Sequence, residues 1–141
     1  MRDSVFLTYS FSDIRRVRRL REALWMHGLD VWPAKSLTPG TPSWHAEVNL
    51  QLARAMCMVA VLSKNSLLSG WVWNALDYAH QHQLPVLPAL VDGDPGHILL
   101  VTLEGRDWFD LRWSKNYLRE VREMEAVIRR LAQSRVIELE A

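Results

Sequence analysis

The stretch CMVAVLS, residues 57–63, decides the reading of this sequence. It stays apolar from Cys57 to Leu62, without the alternation of a half-exposed strand. A short unbroken apolar run suits a strand buried on both faces, so it is predicted to be a central strand of a parallel sheet. Upstream, SWHAEVNLQLARA (43–55) reads as a helix capped by Ser43. Before it, PAKSLTPGTP (33–42) is a turn-rich loop with three prolines and a glycine. LDVW (29–32) and SVFLTY (4–9) are β-prone. Between them, Ile14, Val17, Leu20 and Leu24 fall at helical spacing. Ser10, Ser12 and Asp13 offer N-caps for that helix, and Gly28 its stop.

Downstream of the central run, KNSLLSG is a loop and a helix is expected over 71–82. LPVLPALV (84–91) reads as a strand despite its prolines, and DGDPGH (92–97) as a turn without phosphate-loop spacing. RDWFDL (106–111) reads as a short edge strand. A last helix is expected over 114–134, with Leu118, Val121, Met124, Ile128 and Leu131 on one stripe. Strands alternating with helices imply an α/β fold with a parallel sheet and helices on both faces. Ligands of such sheets bind outside the carboxyl ends of the strands. The loops there are YSFSD, PAKSLTPGTPSW and SKNSLLSGWVW. They bring Tyr9, Phe11, Trp32, Trp44 and Trp71 toward one aromatic-lined cleft.

The 141 residues suit one domain, expected over 1–134 with a tail at 135–141 that could lead into another domain. The chain is 49% hydrophobic and 23% charged, with a net charge of +1 and seven tryptophans. That balance points to neither nucleic acid nor a membrane surface. No leader peptide and no run of membrane-spanning length is read from the sequence. The single cysteine, Cys57, can form no intramolecular disulfide and fits a reducing compartment, hence a cytoplasmic location. RRVRRLR (15–21) reads as a solvated helix face, with an assembly surface as its alternative. His80 and His82 turn to different helix faces, so no metal site is expected.

The ordered set VFLTYSFSD, GLDVW, LTPGTPSW, VAVLSKNSLLSGWV and LPVLPALV resembles a TIR (Toll/interleukin receptor) domain of the bacterial kind, over roughly residues 4–111. The resemblance implies a flavodoxin-like five-stranded parallel sheet. It also implies one of two roles: assembly with other TIR domains, or cleavage of NAD+ to nicotinamide and ADP-ribose or a cyclic variant. Many bacterial members are antiphage defence effectors that must associate to act. Enzymatic members carry a tryptophan followed four residues later by a glutamate. Trp71 fits the tryptophan, and the glutamate position is Ala75.

The chemistry needs an acid at that position. Breaking the nicotinamide–ribose bond builds oxocarbenium character, which a carboxylate stabilises and alanine does not. Two explanations stay open: a TIR domain that never had the acid, or one whose glutamate has been replaced, the favoured of the two. Asp77, two positions on, points away. The resemblance places substrate contacts at Tyr9, Ser10, Phe11, Trp32, Lys35, Leu37, Trp44 and Trp71. Lys35 is the candidate cation for phosphate, because Ser10 and Phe11 stand where relatives often have basic residues. The favoured expectation is a TIR NAD+ hydrolase activated by self-association into a homo-oligomer or filament, inactive here because of Ala75. NAD is then a substrate rather than a retained cofactor. The alternative is a non-catalytic TIR interaction module.

Overall fold

A computed structural model describes residues 4–33, 42–96 and 108–140; the side chains at 43–45 and 135–140 lie outside that description. The strands are β1 (Ser4–Thr8), β2 (Asp30–Trp32), β3 (Ala55–Leu62), β4 (Val86–Leu90) and β5 (Phe109–Asp110). The helices are α1 (Ile14–Met26), α2 (Pro42–Arg54), α3 (Gly70–Gln81) and α4 (Tyr117–Glu140). The strands form one five-stranded sheet in the order β2-β1-β3-β4-β5, every pairing parallel. This is the flavodoxin-like order, with its switch point between β1 and β3.

The central position of β3 follows from its sequence. All eight of its residues are buried. Burying each Val or Leu side chain contributes roughly 1.5–3 kcal/mol. The period-2 geometry of a strand then divides its side chains between two cores. Cys57, Val59 and Val61 join Val5 and Leu7 against Val17, Leu20 and Leu24 of α1 and Val121, Met124 and Ile128 of α4. Met58 joins Phe6 against Leu52 of α2 and Ala75 and Ala79 of α3. Burial pushes the Cys57 thiol up to about 12, so it packs as a small neutral hydrophobe.

Local signals set most boundaries. Gly28 adopts φ 82°, Gly28 N–H donates to Trp25 O (2.9 Å) and Leu29 N–H to Leu24 O (3.2 Å). That paired pattern closes α1 and turns the chain into β2. Ser69 caps α3 by accepting from Val72 N–H at 3.4 Å. Pro88 lies inside β4, paired with Ala60. Val91 N–H donates to Leu62 O of β3, while Leu90 O accepts from Leu111 N–H on the other side. Alternation therefore turns the missing Pro88 N–H toward β5, one residue before the two-residue ladder at Ala89 and Leu90 begins.

Three expected boundaries are corrected. Helix α2 starts at Pro42, so Ser43 lies inside the first turn and is not the cap; a first-turn proline loses no hydrogen bond and has its φ preset. Ala55, expected to be helical, begins β3 in register with Ser4, because the apolar run extends back through Met56 to Ala55. The last helix begins at Tyr117 after a 3-10 turn at Ser114–Asn116 and continues to Glu140, six residues beyond the expected end at Ser134. Its apolar stripe fades after Leu131, but nothing in SRVIELE breaks a helix.

Candidate functional site

At the carboxyl ends of β1 and β3, two loops and the start of α3 enclose an open groove of about 360 Å³. Ser10, Phe11 and Ser12 line it from the β1–α1 loop, Asn65, Leu68 and Ser69 from the β3–α3 loop, and Trp71 from α3. Tyr9 is fully buried, with its ring edge-on to Trp71 at 4.7 Å between centroids. Trp71 also packs against both cores, so it closes the top of the sheet while part of its ring lines the groove.

A buried polar network holds the two loops together. Ser63 Oγ donates to Asp13 Oδ2, and Asp13 is 1% exposed. Ser63 Oγ accepts from Asn65 N–H (3.1 Å) and Ser66 N–H (3.2 Å). Ser66 Oγ accepts from Ser63 N–H (2.8 Å) and donates to Ser63 O (2.9 Å). Trp73 Nε1 donates to Leu67 O at 2.8 Å, pinning the 66–68 turn to α3. The Asp13–Ser63–Ser66 bonds at the centre of this network are buried, and buried hydrogen bonds fix geometry more firmly than exposed ones. The sequence offers Asp13 only as a helix cap. It stands at the N-cap position of α1 but makes no side-chain cap bond, being taken up by Ser63. Asp13 and Ser63 are fifty positions apart, so no local pattern pairs them. The S-x-x-S spacing after a strand was the readable half of the signal.

Of the residues expected at the cleft, the structure brings Ser10, Phe11 and Trp71 together, with Tyr9 directly beneath. Ser10 Oγ accepts from Ser12 N–H at 3.3 Å, and Phe11 is exposed. Trp32 lies in the α2/α3 core, stacked on Phe6 at 4.9 Å. Lys35 and Leu37, with most of the 33–42 loop, and the Trp44 side chain lie outside the described residues. Ala75 is 3% exposed and packs in the cluster of Phe6, Trp32, Leu52, Met58 and Ala79, with Trp71 against it. Asp77 is exposed on another side of α3, where its Oδ2 accepts from Gln81 Nε2 at 3.2 Å.

Tyr9 OH, Thr8 Oγ1 and Asp13 Oδ1 find no hydrogen-bond partner among the described residues; Arg16 approaches Asp13 Oδ1 at 3.5 Å. Burial raises the Tyr9 phenol, with Arg21 pulling the other way, so it stays a neutral donor.

A parallel sheet in this order, with a groove at its switch point, defines a flavodoxin-like α/β domain. Residues 5–131 match the sequence profile of the TIR domain, and the chain belongs to that family. The solved TIR domains of the activated Roq1 resistosome, which directly recognises the pathogen effector XopQ, superpose with a TM-score of 0.65 at 22% identity. That match covers 89% of this chain and 98% of that one. The TIR domain of the Toll-related receptor TRR-2 from Hydra magnipapillata gives a TM-score of 0.69 at 17% identity, covering 92% and 99%. No curated protein matches the chain by sequence. No described helix is long and apolar enough to cross a membrane.

Proposed function

We propose that this chain is a TIR association module that joins other TIR domains and does not cleave NAD+. The observation that carries this reading is the environment of position 75. Alanine there sits in an apolar cluster, with no carboxylate at the place where the family's enzymatic members have one. The nearest acid on the helix, Asp77, is turned to solvent and held by Gln81. Without an acid beside the ribose, the oxocarbenium-like transition state loses its main electrostatic partner, an effect worth about a hundredfold or more in rate. The assembly of TIR domains named for the Roq1 resistosome supports association by analogy.

The groove favours one further reading. Ser10, Phe11 and Trp71, over the Tyr9 ring, keep an aromatic frame of a size to hold part of a nucleotide. NAD+ would then bind uncleaved and bias assembly, with Lys35, Leu37 and Trp44 completing the contacts. Both readings place the domain in the cytoplasm, in keeping with its lone reduced cysteine. The test combines sedimentation velocity over a concentration series, calorimetry with NAD+, and nicotinamide release by the chain and by Ala75→Glu. Concentration-dependent association without nicotinamide release by the unmodified chain is expected. Steady release by the unmodified chain under associating conditions would refute the module and restore the enzyme.

A further inference from the structure

A second concavity, of about 270 Å³, lies on the same carboxyl rim at its β4–β5 end. It shares no residue with the Ser10–Trp71 groove. Three segments bring charge to it: Arg16 and Arg19 from α1, Asp92 from the turn after β4, and Arg112 from the turn after β5. Trp113 and Tyr117 add rings from the approach to α4.

The three guanidiniums are not equivalent. Arg112 is held rigidly: Nε and Nη2 donate to Asp110 Oδ1 (2.9 Å) and Oδ2 (2.8 Å), and Nη1 to Gly93 O (3.1 Å). Its charge is matched by Asp110, but two of its five N–H groups have no partner among the described residues. Arg16 has only the 3.5 Å approach to Asp13, whose other oxygen is occupied by Ser63. Arg19 lies over Tyr117, its Cζ 3.7 Å from the ring centroid, and no carboxylate pairs with it among the described residues. A guanidinium held over a ring in this way keeps N–H groups for a phosphate. A bare anion would also meet Asp92. A phosphate carrying hydroxyl groups turns that carboxylate into an acceptor, so the mixed lining selects for both parts of the ligand.

We propose that this pocket binds a phosphate monoester on a hydroxylated ring, the chemistry shared by a sugar phosphate and a mononucleotide. Arg19 and Arg16 take the phosphate and Asp92 a hydroxyl. Trp113, 56% exposed at the mouth, offers a stacking face that only the nucleotide would use. The volume is just below the usual range for small-molecule sites, roughly 300–1,000 Å³, and admits one such unit rather than a dinucleotide.

The test is calorimetric titration of the intact chain with inorganic phosphate, ribose 5-phosphate and AMP. Ribose 5-phosphate is expected to bind more tightly than phosphate, and binding to weaken as salt is raised. Arg19→Met should weaken both esters about tenfold or more, through loss of a charge-assisted contact. Asp92→Ala should abolish the preference for ribose 5-phosphate over phosphate. AMP tighter than ribose 5-phosphate identifies a nucleotide site, and equal affinity a sugar phosphate site; either ranking upholds the pocket. Phe11→Ala, at an exposed residue of the other groove, should leave the phosphate and ribose 5-phosphate titrations unchanged. The proposal is overturned if no ester binds the native chain at millimolar concentration. It also fails if Arg19→Met, folded by circular dichroism, binds as well as the parent, or if Phe11→Ala removes the binding of ribose 5-phosphate.

Discussion

On the α1/α4 face of the sheet, the helices present Val17, Leu20, Leu24, Val121, Met124 and Ile128, all fully buried. On the α2/α3 face the buried helix residues are Ala75, Ala79 and Leu52, around the stacked Phe6–Trp32 pair, and the larger Val48, Trp71, Leu76 and Tyr78 are only partly buried against them. The first face is a conventional aliphatic core filled by long side chains from both layers. On the second, α3 puts alanines at its deepest contact positions and keeps its larger side chains only partly buried. Position 75 is one of those alanines, so a longer residue there is set against packing.

The largest expected effect breaks the aliphatic face. Leu24→Ala should lower unfolding stability by about 2–5 kcal/mol, measured by denaturant titration, because it leaves a cavity among fully buried neighbours. Leu52→Ala, at 8% exposed, should cost less than Leu24→Ala. Equal losses would erase the contrast between the faces.

Next is Ala75→Glu, which forces a carboxyl group into the Phe6–Trp32 cluster. A cost of about 1–3 kcal/mol is expected for a polar group buried without a partner. No loss of melting temperature would mean that the side chain reaches the groove, and would revive the enzymatic reading. Ser69→Ala, which removes the cap of α3 beside this cluster, should cost about 1 kcal/mol by the same measurement.

The rim of the aliphatic face yields a pH effect. The hydrogen bonds from Arg112 hold the Asp110 carboxyl below its ordinary value, against some desolvation. A carboxyl depressed on folding contributes its stability above the unfolded value, near pH 4, and loses it as pH falls through the lower folded value. Asp110→Asn should therefore flatten the acid limb of the stability curve below about pH 4, read from melting temperatures at constant salt. An unchanged limb would show that this half-buried pair carries no linkage. The smallest effect is expected from Tyr9→Phe. Its hydroxyl is buried without a partner among the described residues, so stability should change by less than about 0.5 kcal/mol, while any ligand that uses the hydroxyl would bind less well.

The aliphatic face was also the more legible one. Val17, Leu20 and Leu24 announce α1 by spacing alone, and the unbroken run at 57–63 placed β3 in the centre of the sheet. The α2/α3 face was read less well. Trp32, expected at the cleft, is a core ring on Phe6, because aromatic residues carry no mark separating a shelf from a filler. At the site, Ser10, Phe11 and Trp71 were readable from strand polarity, since the carboxyl ends fix which loops meet. The Asp13–Ser63 bond that joins those loops was not, because it is a tertiary contact between two residues common in any turn. The arginine pocket was hidden for the same reason. Its charges come from α1 and from the turns after β4 and β5, and RRVRRLR alone looks like a solvated face.

Arg54 ends α2 and Ala55 begins β3, with no residue between them. The far end of α2 starts at Pro42, directly after the proline-rich loop. A helix joined to a buried strand without slack can swing but not slide. Any displacement of that loop by a neighbouring molecule would act on α2 as on a lever, with its fulcrum at the 54–55 junction. The force would arrive at the amino end of the strand on which the whole sheet is centred.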